Sequence, residues 1–450
     1  KAQPLVQPLR AGPLHVRRSH ACPMASVLIC GGGNAAQVCS CLFGSRYKVT
    51  AISLYGDEAE RWDQAVKEAG QMECTLAPQQ KTVKAKPDRI TKDPICVREC
   101  DVVLFTVPSS FHEQYFAALE PHVKDGTIFA VMPARSGCDF LFKKVMGHKA
   151  SKLGLVAFET LPWACRFNEW GKTSTVLGTK ETIGAAVVPP AGKSVTEVIL
   201  KLQGLLGVEP MIVECPNVMS ISLGNPGQVV HPGITYSRWK DWDGQPLAKK
   251  PLFYHGADEF CASVLSGISD DIQAICNKLK SVDPSYDTSQ VKTIFDWYMA
   301  SYSLSCKDTS NLQKAMVTNS AYDGLCHPMK GTEDTGFTPD FQFRYLSEDV
   351  PTGLCFTKGV ADLLDVRTPM IDKVMLWCQD KLGKEFITPD GKMGGKDIGY
   401  TRAPQAYGVK TKKDLMEFLG LKPALNPLLP VLAVAAAVIA ILAVAKPKIV

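Results

Sequence analysis

The residues with the clearest chemical purpose are Gly31-Gly32-Gly33-Asn34-Ala35-Ala36, which follow the apolar run Ser26–Cys30 without a break. A G-x-G-x-x-A turn directly after a strand suits the seating of a dinucleotide pyrophosphate. Gly31 permits the tight turn, Gly33 lets the backbone approach the phosphates, and Ala36 lets the next helix pack close to the sheet. Free N–H groups where that helix begins, around Asn34 and Ala35, then face the anion. After a second strand comes Tyr55-Gly56-Asp57-Glu58-Ala59-Glu60-Arg61-Trp62. Asp57 is the nearest acid to the strand end and a candidate for the adenosine ribose hydroxyls. It equally suits the N-cap of a helix over Glu58–Ala69. Asp57 makes NAD(H) the expected cofactor, while Arg61, one turn on, would favour a 2′-phosphate and keeps NADP as the lesser choice.

Such residues work only when a parallel sheet holds them. All-apolar runs at residues 49–54, 101–107, 127–132 and 154–158 have the character of its strands. Ligands bind beyond the carboxyl ends of strands in open sheets. Val107-Pro108-Ser109, Pro133-Ala134-Arg135-Ser136 and Glu159-Thr160-Leu161-Pro162-Trp163 are therefore expected to line one cleft, with Val107 and Pro108 beside the cofactor. Each segment alone reads equally as a strand-ending turn. Beyond residue 218 strand runs thin out, and residues 258–279, 288–304 and 357–382 carry apolar side chains at helical spacing. The Pro- and Gly-bearing stretch 217–233 suits a hinge.

Composition limits the alternatives. The 450 residues are 46% hydrophobic and 21% charged, with a formal charge of +5. Residues 1–23 and 421–450 contain seven bases and no acid; without them 43 bases remain against 45 acids. A slightly acidic body argues against nucleic acid as a partner. Sixteen scattered cysteines show no recurring C-x-x-C, so reduced thiols in a cytoplasmic setting and no metal site are expected. Residues 1–23 read as a disordered extension or translated upstream sequence, or as a transit segment. Residues 428–445 hold no charge and would span roughly 27 Å as a helix. They suit weak membrane association through a C-terminal anchor, or an apolar helix packed on the body or a second subunit.

Longer motifs carry a resemblance. Beside the glycine turn and the segment from Asp57 to Trp62 stand Phe158-Glu159-Thr160-Leu161-Pro162-Trp163-Ala164-Cys165-Arg166, Val230-His231-Pro232 and Trp242-Asp243-Gly244. Pro251-Leu252-Phe253-Tyr254, Arg344-Tyr345-Leu346-Ser347-Glu348-Asp349, Gly395-Lys396-Asp397 and Pro404-Gln405-Ala406-Tyr407-Gly408 complete the set. From about residue 25 to 415 the chain resembles the opine dehydrogenases of marine invertebrates, of the octopine and tauropine type.

The resemblance implies an α/β protein: a Rossmann-type doubly wound sheet over residues 24–217, then an all-helical substrate domain over 218–420, with 421–450 as an apolar tail. It implies NADH-dependent reductive condensation of pyruvate with an amino acid or taurine, regenerating NAD in anaerobic glycolysis, by a monomer or homodimer. Such chemistry needs a group titrating near neutrality, a carboxylate to orient it and a cation for the substrate carboxylate. Eight histidines are present; the family's His-Pro motif selects His231 as acid/base. By the same match Asp349 orients His231, Arg344 binds substrate, Thr160 contacts the keto acid, and Trp163 and Cys165 line the substrate site. Arg135 departs from the pattern, standing where octopine-type enzymes tend to have Gln. As a second cation near the keto acid it would disfavour a guanidinium-bearing donor, which leans the expectation to taurine, glycine or alanine. The competing readings are a 2-hydroxyacid-type dehydrogenase acting on a carbonyl directly, and a membrane-tethered, non-catalytic NAD-binding protein.

Overall fold

Short, wholly apolar runs have no polar face to offer water, so they become inner strands of a sheet covered on both sides. The computed structural model describes residues 25–422 except Pro78. β1 (Ser26–Cys30) turns into α1 (Asn34–Gly44), followed by β2 (Lys48–Ile52) and α2 (Glu58–Ala69). Next come β3 (Met72–Leu76), β4 (Lys81–Ala85), β5 (Arg89–Thr91), β6 (Val102–Phe105), α3 (His112–Leu119), β7 (Ile128–Val131), α4 (Cys138–Met146) and β8 (Gly154–Phe158). β9 (Trp163–Glu169), β10 (Thr173–Thr179), β11 (Thr182–Val188), α5 (Val195–Leu206) and β12 (Met211–Cys215) complete the first half.

The main sheet has the order β12-β11-β8-β7-β6-β1-β2-β5, parallel throughout except where β11 runs against β8. Every residue of β6, β7 and β8 is buried. The chain leaves β1 toward β2 on one side and returns to β6 on the other. This places a topological switch point, where such sheets bind ligands, above β1. A second sheet, β4-β3-β10-β9, lies against α1.

The second half is helical: α6 (Val218–Leu223), α7 (Gly227–Trp239), α8 (Glu259–Val282), α9 (Ile294–Tyr302) and α10 (Leu312–Val317). A hairpin, β13 (Met329–Thr332) with β14 (Gly336–Pro339), precedes α11 (Arg344–Ser347), α12 (Cys355–Leu363), α13 (Pro369–Leu382) and α14 (Lys412–Leu419). α8 is capped by Asp258, whose carboxylate accepts from Cys261 N–H (2.7 Å). It buries Cys261, Val264, Leu265, Ile268, Ile272, Ile275 and Leu279, one stripe at three- and four-residue spacing. Gly233 of α7 lets α8 come close, since a Cβ there would lie 2.4 Å from Leu265. Helical spacing over 357–382 turns out to serve two helices. Asp365 takes a left-handed φ of 56° and Pro369 opens the second helix.

The Rossmann sheet followed by a helical domain is the architecture expected from the sequence. The expected membrane anchor is withdrawn: among the described residues no helix is long and apolar enough to cross a membrane. Residues 428–445, like the extension 1–23, lie outside the described residues.

Candidate active site

At the end of β1 the chain bends through Gly31 (φ 106°), where a Cβ would meet Val107 Cγ1 at 2.7 Å. Val107 thus walls the turn, with exposed Pro108 beside it. Gly33 is the N-cap of α1, is exposed, and has nothing within 4 Å of a Cβ placed on it. No side chain caps α1 and its first turn holds no acid. The free N–H groups and positive end of the helix therefore face open space at the switch point, which fits a pyrophosphate. Ala35 and Ala36 are buried under the sheet side of α1. Asn34 faces the β9–β10 hairpin, its Oδ1 accepting from Phe167 N–H (2.9 Å). Gln37 and Trp170 both donate to the Gly32 carbonyl (3.0 and 3.2 Å), so the turn is held from behind.

Asp57 does not turn toward this loop. Its carboxylate is exposed and bonded to Arg61 (2.9 Å), which holds it below the usual carboxylate range. It makes no side-chain cap to α2 either. Arg61 lies over the Trp170 ring at 5.1 Å. The carboxylate that abuts the loop is Glu58: a Cβ on Gly32 would fall 2.5 Å from it, and Ser53 donates to Oε2 (2.5 Å). Sequence reasoning passed over Glu58 because a helix start hides which of two neighbouring acids faces inward.

His231 lies one turn into α7. Its Nδ1 bonds Asp349 Oδ2 at 2.8 Å across 118 residues of sequence, and Nε2 has no hydrogen-bond partner among the described residues. Asp349 sits where α11 gives way to a π-helical turn, Val350–Leu354, in which Leu354 N–H reaches the Asp349 carbonyl (3.1 Å). Burial alone would raise this carboxyl, but the His231 hydrogen bond and the Arg135 guanidinium outweigh it, and the group is held below the usual range. Arg135 Nη1 stands 3.4 Å from Asp349 Oδ1 and bonds Asn225 Oδ1 (3.2 Å). Arg135 carries a left-handed φ of 58°, a conformation that costs an L side chain about 1 kcal/mol or more. Gly227 makes room for this group: a Cβ there would sit 2.7 Å from Asp349 Oδ1 and 2.8 Å from Arg135 Nη1.

Arg344 does not face Asp349. It bonds Glu348, its helical i,i+4 neighbour, through Nε (2.9 Å) and Nη2 (2.5 Å), and remains half exposed. Glu348 is buried and also accepts from Ser109 N–H (3.1 Å) and Oγ (2.7 Å), joining the loop after β6 to the helical domain. Arg402, buried, donates to the carbonyls of Ala134 (3.0 Å), Ser136 (3.3 Å) and Ser109 (3.0 Å) and to His112 Nδ1 (2.9 Å). His112 Nε2 faces the Val107 carbonyl (3.2 Å). Burial, with Arg402 beside it, holds this imidazole well below its usual range, so it is neutral with its proton on Nε2. Neither Glu348 nor Arg402 carried a sequence signal of its own, because both depend on partners more than 200 residues away.

Thr160 follows β8, half-buried, without a hydrogen-bond partner among the described residues. Trp163 and Cys165 are corrected: both side chains are buried in the core of the first domain, Trp163 against Phe43 with ring centroids 6.2 Å apart.

A chain built this way handles a dinucleotide in one domain and a proton in the other, the division of labour of a two-domain dehydrogenase. Residues 214–382 match the family described as NAD/NADP octopine/nopaline dehydrogenase, alpha-helical domain. Opine dehydrogenase of Haliotis discus hannai is 40% identical over 403 residues, 88% of this chain and 99% of that protein. Octopine dehydrogenase solved with NADH and L-arginine superposes with a TM-score of 0.82 at 38% identity, covering 89% of this chain and all of that one. The same enzyme solved with NADH and pyruvate gives a TM-score of 0.80 over the same shares at 38% identity. The chain belongs to the opine dehydrogenase family of NAD-dependent oxidoreductases.

Proposed function

We propose that the protein condenses pyruvate with the amino group of an amino acid and reduces the resulting imine, giving an opine, NAD and water. The observation that carries this reading is the 2.8 Å bond between His231 Nδ1 and buried Asp349, which leaves Nε2 for a substrate proton. NADH, when bound, supplies the hydride to the imine carbon. Asp349, held as an anion, fixes the His231 tautomer and stabilises the imidazolium. His231 gives a proton to the departing hydroxyl as water leaves the carbinolamine, and in the reverse direction takes the amine proton. The free N–H groups of α1 bind the pyrophosphate, and Glu58 binds the adenosine ribose hydroxyls. A carboxylate at that place repels a 2′-phosphate, which supports NAD(H) over NADP(H). Arg344 and Thr160 hold the keto acid. The reaction would restore NAD during anaerobic glycolysis.

The lean to taurine, glycine or alanine rested on Arg135 as an uncompensated cation. With Asp349 at 3.4 Å and Glu348 at 3.9 Å, its charge is balanced by two buried carboxylates. The local field therefore no longer disfavours a guanidinium-bearing donor, and arginine stands beside the smaller amines. The test is NADH oxidation at 340 nm with pyruvate, alone and with arginine, taurine, glycine, alanine or β-alanine. Turnover is expected only when an amine is present. Equal turnover without amine would identify direct carbonyl reduction and overturn the proposal.

A further inference from the structure

Tyr345 and Asp349 stand four residues apart, and the backbone stays right-handed helical through Glu348 (φ −105°, ψ −53°) and Asp349 (φ −75°, ψ −21°). Residues at that spacing share one face, so both reach the same imidazole. Asp349 meets the His231 ring at its edge, at Nδ1. Tyr345 lies flat on the ring's face, with centroids 3.9 Å apart and planes inclined by 9°. Phe253, fully buried, packs at 4.9 Å on Tyr345 and 6.1 Å from His231, and is backed by His327 at 4.7 Å. The Tyr345 hydroxyl has no hydrogen-bond partner among the described residues, so the ring itself is what this position employs. None of the roles assigned above uses it.

We propose that Tyr345 is a positioning residue for the reaction, holding the His231 ring in the plane of the Asp349 carboxylate and favouring the imidazolium through its π face. A ring stacked flat against an imidazole blocks rotation about its Cβ–Cγ bond. Its negative quadrupole also attracts the charged form more than the neutral one. The charges around His231 do not mask this. Asp349 lies at the ring edge with Arg135 behind it, and Arg344 is paired with Glu348 on the neighbouring turn. These four charges sum to zero. Beyond Phe253 stand Tyr254, whose hydroxyl burial keeps protonated, and His327, an imidazole pushed down to about 3 and therefore neutral.

The inference rests on His231 as the acid/base group, and its test is arranged so that the two can fail separately. His231 is titrated by NMR in enzyme carrying 13C-labelled histidine, its signal assigned by its loss in His231→Gln. A π face worth about 0.5–2 kcal/mol corresponds to about 0.4–1.5 pH units. Tyr345→Leu should therefore move the midpoint to lower pH by that amount, and Tyr345→Phe should keep it within about 0.3 unit of wild type. The pH profile of kcat/KM for amine-dependent NADH oxidation should move in parallel. An unmoved midpoint in Tyr345→Leu, even with lowered rate or Tm, would overturn the proposal, as would an equal shift in Tyr345→Phe. If the leucine variant does not fold, Tyr345→Met is titrated in its place, with the same outcomes. The NMR titration needs no turnover, so a protein without amine-dependent activity would refute the function proposed above while still judging Tyr345.

Discussion

Asp349→Asn isolates the charge in the His231–Asp349 pair, because the side chain keeps its shape and an oxygen that can accept from Nδ1 (2.8 Å in the native pair). Two estimates bracket the loss. A hydrogen bond to a charged group contributes about 1.5–3 kcal/mol. Unit charges about 4 Å apart at an effective dielectric of about 20 interact by about 4 kcal/mol, which is the ceiling. A loss of about 2–4 kcal/mol in the step that forms the imidazolium lowers kcat by about 30- to 1,000-fold. The KM for NADH should stay within about threefold, because the glycine turn lies in the other domain and touches neither residue. The assay is initial-rate NADH oxidation with saturating pyruvate and amine, on protein whose circular dichroism matches wild type. A kcat within threefold of wild type would refute the assigned role of Asp349. So would a defect confined to NADH affinity.

Gly33→Val should fold normally, since nothing lies within 4 Å of its Cβ, yet raise the Kd for NADH more than tenfold by fluorescence titration; unchanged affinity contradicts the cofactor reading. Gly227→Ala would force a methyl to 2.7 Å from Asp349 and 2.8 Å from Arg135, separating that pair. A kcat loss of about 10- to 100-fold at near-native Tm is expected from steady-state kinetics, and a stabilised, fully active variant rules it out. Stability should also fall with acid. His112 and His327 are held below the unfolded value of about 6.5, so the folded chain binds fewer protons than the unfolded one as pH drops. Their contribution is complete above about pH 6.5 and is lost below it. Two groups, about 1.5 units down at pH 5, remove about 4 kcal/mol. Urea unfolding at pH 7 and 5 measures this, His327→Gln should halve the difference, and equal stability at both values would refute it.

Where function follows from local spacing, the sequence was legible. The glycine turn and the helix over Glu58–Ala69 are fixed by residues within one turn of each other. The His-Pro motif pointed to His231 only through resemblance, because one histidine among eight carries no spacing signal. What stayed hidden was pairing at a distance. Arg344 and Asp349 were given separate roles without their partners, and helical geometry sets Glu348 beside Arg344 and Tyr345 on the same face as Asp349. Arg135 looked like a free cation because its two carboxylate partners lie more than 200 residues along the chain. Trp163 read as cleft lining because it follows a strand end, and Cys165 through the resemblance alone. Both belong to a strand of their own, β9, and alternation sends both side chains into the core.

Arg402 also sets an order of events during synthesis. The loops it fastens, at Ser109 and at Ala134 to Ser136, are made 266 to 293 residues before it. At about 5–20 residues per second, a ribosome needs on the order of 15–60 s to cover that distance. Throughout that interval the carbonyls of those loops lack their guanidinium donor, and for most of it Ser109 lacks Glu348. The nascent dinucleotide domain is then a sheet with an unfinished mouth. The loops after β6 and β7 gain their Arg402 and Glu348 contacts only once the helical domain has been translated and docked, so the acid/base pair joins a glycine turn and a Glu58 that are made long before it.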